Sequence, residues 1–170
     1  VLTSRGLGDV YKRQKYMSEK YLIFGATGSI GSSLSRQLKQ SGKEVHLVAR
    51  NESEVKKLSE ELGCSFTVAD VLENGFVDKV KAEVPDVKGI AYCVGSIVLK
   101  PLRMIKEDEF NQCMKLNCYS ALEVIRGYQD TLKKSKGSIV LFSTVAVRRG
   151  FSNHGIIASA KAAVEGLTVS

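Results

Sequence analysis

Short apolar runs and segments of helical period alternate five times along this chain. Extended runs are predicted over residues 20–25, 44–49, 65–69, 89–94 and 138–142. Between them, Ile30, Leu34 and Leu38 share one helical face ended by Ser41-Gly42. Val55, Leu58 and Leu62 form a second face before Gly63, and Phe76, Val77, Val80 and Val84 a third that stops at Pro85. A loop with Pro101 precedes a long helix predicted over residues 107–134, and a last helix is predicted from about residue 153. Parallel strands need a crossover between them, and a helix after every strand supplies it. The expected fold class is therefore α/β, a doubly wound parallel sheet with helices on both faces. Such a sheet normally has a sixth strand. The last helix still runs at Ser170, so the domain is expected to be truncated after strand five and the start of the following helix.

At 170 residues the chain suits one domain, assigned here to residues 17–170. Residues 1–16 have neither period and read as a non-native or disordered leader. That leader holds Arg5, Lys12, Arg13 and Lys15 against Asp9, so it carries +3 of the net +7. The remaining +4 is spread over helix faces, and no basic-aromatic interleaving suggests nucleic acid. No apolar run approaches the ~20 residues of a membrane span, and no secretory signal is evident. Cys64, Cys93, Cys113 and Cys118 form no CxxC pair and have no histidine at zinc spacing. They read as reduced structural thiols of a cytoplasmic protein; no metal is expected.

The first run leads directly into Gly25-Ala26-Thr27-Gly28-Ser29-Ile30-Gly31 and then a helix. Glycines there let the backbone turn tightly and approach a pyrophosphate, which a helix N-terminus attracts. Gly25, Thr27, Gly28, Ser29, Ile30 and Gly31 are thus candidate cofactor-binding residues. Sites specific for NAD commonly carry an acid at the end of the second strand. This chain has Ala49-Arg50-Asn51 there. Arg50 suits the extra phosphate of NADP(H), which is the preferred cofactor, with NAD(H) possible.

With these residues the chain resembles the short-chain dehydrogenase/reductase family over nearly all of residues 18–170, and the resemblance implies a Rossmann fold. The glycine spacing is GxxGxxG, with Ser29 where the common soluble branch has its middle glycine. Asp70-Val71 matches the pair that contacts adenine. Tyr92-Cys93-Val94-Gly95 takes the place of the NNAG motif, keeping only its glycine; Cys93, Val94 and Gly95 join the cofactor-binding set. Asn117, in an apolar helical stripe with Phe110, Met114, Ala121 and Val124, matches the asparagine of the catalytic tetrad. Lys161 matches the lysine that binds the nicotinamide ribose. Counting back from it puts Ile157 at the catalytic tyrosine and Thr144, beside Ser143, at the catalytic serine.

Isoleucine does no proton chemistry, so the resemblance leaves the proton donor open. His154 lies one turn before Ile157 on the predicted helix, and either it or an ordered water would supply the proton. Thr144 or Ser143 would hold the substrate oxygen. The expected catalytic set is Asn117, Ser143, Thr144, His154 and Lys161. The implied activity is NADP(H)-dependent oxidation or reduction of a small-molecule carbonyl or alcohol, with homo-oligomers when full length. The alternative is a catalytically silent NAD(P)-binding sensor or partner subunit; a nonredox dehydratase or isomerase is a third possibility.

Overall fold

The structure, a computed structural model, describes residues 19–170. The leader assigned to residues 1–16 lies outside the described residues. Five parallel strands form one sheet: β1 (Lys20–Phe24), β2 (Glu44–Ala49), β3 (Ser65–Val68), β4 (Gly89–Tyr92) and β5 (Ser138–Leu141), in the order β3-β2-β1-β4-β5. Crossovers are made by α1 (Ser29–Gln40), α2 (Glu52–Leu62), α3 (Phe76–Glu83), then α4 (Glu107–Met114) running through a π-helical turn, Lys115–Tyr119, into α5 (Ser120–Ser135). The final helix is α6 (Gly155–Val169).

Strand period sorts the core. On β1, Leu22 and Phe24 face one side of the sheet with Val48, against Phe76, Val77 and Val80 of α3 and Val124 and Tyr128 of α5. Ile23 and Leu47 face the other side, against Val55 and Leu58 of α2, with Leu34 and Leu38 of α1 packed alongside. A third cluster joins Cys113 of α4 to Ile156, Ile157 and Ala160 of α6. β5 closes the sheet at one edge, where Val140 is 51% exposed.

Local signals explain the helix ends. Asn51 caps α2 by accepting the Glu54 N–H, Glu52 and Glu54 complement its positive end, and Gly63 closes it in the left-handed conformation. Strands one, three, four and five stop one or two residues earlier than predicted, because their last residues turn into the loops above the sheet. Ile30 departs from the expected buried face: it is 52% exposed. Gly31 and Ser35 are the buried residues of α1 instead, since the first turn lies too close to the β1 loop for a large side chain. The predicted single helix over 107–134 is interrupted by the π turn. The last helix starts at Gly155, with His154 at its N-cap.

Candidate active site

A cleft of about 520 Å³ opens over the carboxyl ends of the strands. It is built from the loops after β1, β2, β3 and β4, where the sheet order reverses between β1 and β4. Doubly wound sheets bind ligands at such a point.

The glycine turn after β1 is packed too closely for a side chain at two positions. Gly25 has φ +71°, and a Cβ there would stand 2.9 Å from the Cys93 carbonyl carbon. A Cβ on Gly31 would stand 2.3 Å from the Gly25 carbonyl oxygen. The β1–α1 turn is pinned by Gly25 N–H and Ala26 N–H donating to the Val48 carbonyl at 2.9 and 3.1 Å. Helical bonding begins with Ser32 N–H donating to Gly28 O, and α1 has neither a side-chain cap nor an acid in its first turn. The N–H groups of Ser29, Ile30 and Gly31 are therefore left for an acceptor outside the helix. Thr27 and Gly28 line the cleft beside them.

Arg50 lines the same end of the cleft and is exposed. It makes no ion pair among the described residues. Asp70 Oδ1 accepts the Leu72 N–H at 2.9 Å and so turns the β3 loop along the cleft. Val71 is buried beneath it. Cys93, Val94 and Gly95 form the wall after β4; burial pushes the Cys93 thiol up to about 11.

Behind Gly95 of the cleft wall lie Asn117 and Lys161, which are not themselves among the lining residues. Asn117, 1% exposed, lies in the π turn; its Nδ2 donates to the Cys113 carbonyl at 3.0 Å, while its Oδ1 has no partner. Only half of that buried amide is satisfied within the chain. A Cβ on Gly95 would lie 3.0 Å from Asn117 Oδ1 and 3.6 Å from Lys161 Nζ. Lys161 is buried, and burial holds its ammonium below the usual lysine range.

Other expected site residues are held by local contacts of their own. Ser143 Oγ donates to Glu165 Oε1 at 2.7 Å, and Arg148 joins the same carboxylate. Thr144 Oγ1 accepts the Ala146 N–H at 3.3 Å, capping the short 3-10 turn Val145–Val147. His154 Nδ1 pairs with the Ser152 carbonyl oxygen at 2.8 Å, and its ring lies against Phe151. Ile157 is 3% exposed, packed among Cys113, Ile156 and Ala160. The Tyr92 hydroxyl is buried between the Leu116 carbonyl and Ser120 Oγ, and burial raises its pKa.

One wall of the cleft lies outside the sequence motifs. Glu109, Gln112, Cys113 and Leu116 line the cleft from α4 and the π turn. Their spacing of three and four residues, one helical face, was the available signal. Glu109 pairs with Lys100 and accepts the Lys106 N–H at 3.3 Å. Lys100 N–H in turn donates to the Asn153 carbonyl at 3.0 Å. The β4–α4 loop is thereby tied to the segment that leads into α6. Among the described residues no cluster of metal-ligating side chains is found, and no helix is long and apolar enough to cross a membrane.

The close-packed glycine turn and the cleft at the sheet's switch point define a dinucleotide-binding α/β domain. A family model described as Enoyl-(Acyl carrier protein) reductase matches residues 25–170. The chain belongs to this family, one of the short-chain dehydrogenases/reductases. It is 32% identical over 157 residues to an uncharacterized oxidoreductase of Saccharomyces cerevisiae, covering 87% of this chain and 62% of that protein. It is 31% identical to a 3beta-hydroxysteroid dehydrogenase of Mediterraneibacter gnavus, covering 86% and 57%. An alcohol dehydrogenase structure from Thermococcus sibiricus, complexed with 5-hydroxy-NADP, shares the fold at TM-score 0.81 and 24% identity, covering 88% of this chain and 68% of that one. The chain spans 62%, 50% and 57% of the lengths of the first three curated relatives it matches.

Proposed function

We propose that this chain is the cofactor-binding part of an NADP(H)-dependent oxidoreductase acting on a small carbonyl or alcohol. The observation that carries the reading is the cleft itself, with unpaired helix N–H groups at the close-packed glycine turn and Arg50 among its lining residues. These features fit a dinucleotide phosphate. Ser29, Ile30 and Gly31 would hold the pyrophosphate, Arg50 the 2′-phosphate, Asp70 and Val71 the adenine, and Lys161 the nicotinamide ribose. Arg50 is preferred over a carboxylate there because an acid would repel the phosphate. When bound, the reduced cofactor supplies a hydride.

Thr144 is the better candidate to hold the substrate oxygen. Its Oγ1 accepts from Ala146 and keeps its own proton free to donate, whereas Ser143 donates its proton to Glu165. A cytoplasmic setting with reduced thiols belongs to the same reading, as does assembly of like chains in the whole protein.

Titrating NADPH and NADH against the whole protein, followed by nicotinamide fluorescence, tests the reading. Tighter binding of NADPH is expected. Binding of neither, or a clear preference for NADH, would overturn it. A second reading, an NAD(P)-binding subunit without turnover, draws on the buried Ile157 and on His154 turned to Ser152. It predicts binding with no consumption of NADPH.

A further inference from the structure

We propose that Lys161 is itself the proton donor to the substrate oxygen, an inference that rests on the oxidoreductase reading above. Lys161 is only 9% exposed. Among the described residues its ammonium has no carboxylate within ion-pair distance. The groups facing it are Asn117 and Cys118 of the π turn and Cys113 of α4. Burial raises both thiols, so neither supplies a counter-charge at neutral pH. A buried, unpaired cation is costly to keep, and this one lies beside Gly95, a residue of the cleft wall. The space over Gly95, where a Cβ would stand, is faced by Lys161 Nζ at 3.6 Å and by the unpartnered Asn117 Oδ1 at 3.0 Å.

The other candidate donors are engaged elsewhere. The Ser143 hydroxyl is held by Glu165, and Tyr92 by Leu116 and Ser120. His154 is turned to the Ser152 carbonyl. Cys113 Sγ accepts from Asn117 Nδ2, and the Thr144 hydroxyl is a hydrogen-bond donor rather than an acid at neutral pH. Lys161 carries three N–H donors, so one can be transferred while the others remain for the ribose.

In reduction, the carbonyl carbon receives a hydride and forms the new C–H bond. The carbonyl π pair moves to oxygen, which takes a proton from Lys161 Nζ to give the alcohol. The lysine is left neutral and regains its proton from solvent. The substrate is reduced by two electrons and the nicotinamide is oxidised by two. In the reverse direction neutral Lys161 accepts the alcohol proton as hydride departs.

Two measurements on the whole protein test this. In the first, formaldehyde and cyanoborohydride are applied at pH 7 without cofactor, and modified lysines are mapped by peptide mass. Lys161, beside Gly95 of the cleft wall and with a lowered pKa, is expected to be methylated at least as fast as exposed Lys56 and Lys57. If Lys161 stays unmodified after those two are complete, its nitrogen is closed to a carbonyl and the proposal fails. In the second, Lys161→Arg keeps the charge but not a transferable proton. At saturating NADPH, reduction of 4-nitrobenzaldehyde is expected to fall at least ~100-fold in kcat. Retention of most of the kcat by Lys161→Arg overturns the proposal, as does a wild-type protein that binds NADPH yet reduces nothing. Failure of the wild type to bind NADPH removes the functional reading instead. The labelling result, which needs neither cofactor nor a folded variant, separates the two failures.

Discussion

The carbonyl oxygen of Gly25 lies 2.3 Å from where a Cβ on Gly31 would stand, so the first turn of α1 can rest on the β1 loop only if residue 31 has no side chain. The clash is with backbone, which cannot step aside. Gly31→Ala is expected to destabilise the fold by roughly 1–3 kcal/mol, seen as a fall of several degrees in Tm. Gly28→Ala is the contrast. Its Cβ would meet only the Gly25 oxygen at 3.4 Å, so Tm should hold while the methyl group intrudes on the phosphate groove. Loss of NADPH binding without loss of Tm is the expected outcome. Equal melting of both variants would contradict this account of the turn.

Arg50 stands at the end of β2 with no ion pair among the described residues. A charge-assisted bond to a phosphate contributes about 1.5–3 kcal/mol. Arg50→Ala is therefore expected to weaken NADPH binding about 10–100-fold and leave NADH nearly unaffected. Parallel titration of the two cofactors reads this out; an equal loss for both would assign Arg50 a structural role.

Ser143 and Thr144 are neighbours with different duties. Ser143 Oγ donates to Glu165, and the Thr144 hydroxyl proton remains available. Thr144→Ala is expected to lower kcat by at least ~10-fold, and Ser143→Ala by distinctly less. Steady-state kinetics on the two variants decides, and the reverse order would reassign the oxygen-holding role to Ser143.

His46 makes acid stability legible. Its ring sits between the hydroxyls of Ser65 at 2.7 Å and Thr67 at 2.8 Å, and Thr67 donates on to Glu83. Burial, with Lys20 nearby, lowers its pKa to about 4, with Glu83 opposing. The unfolded chain titrates at the ordinary 6.5, so it binds more protons than the folded one between those limits. The contribution is complete above pH 6.5 and is lost as pH falls toward 4. Urea midpoints measured from pH 7 to 4.5 should drop, by roughly 1–3 kcal/mol in unfolding free energy. His46→Gln should flatten that slope, and an unchanged slope would place the acid sensitivity elsewhere.

The sheet and the glycine turn were readable because both are written in local pattern. Leu22 and Ile23 face opposite layers as strand period requires, and Gly25, Gly28 and Gly31 sit where a tight turn meets a helix. Arg50, Asp70 and Gly95 could be placed because strand ends fix their positions over the sheet. The less legible part depends on contacts between distant segments. Ser143 is drawn to a carboxylate 22 residues away, and Lys100 holds Glu109 from a loop with no period of its own. Helical spacing puts His154 on the face of Lys161, but the helix begins at Gly155, two residues later than expected, and the ring follows the Ser152 carbonyl.

The π turn at Lys115–Tyr119 works as a register shifter. Cys113, Asn117 and Ala121 are buried in succession at intervals of four. At 3.6 residues per turn, two such steps would drift by about 80° along an unbroken α-helix. The one wide turn absorbs that drift, so Cys113 meets α6 while Ala121 and Val124 meet the sheet. Asn117 sits at the seam, facing Gly95. Deleting a single residue from that turn would preserve nearly every side chain of both faces, yet rotate one of them about 100° away from its partner.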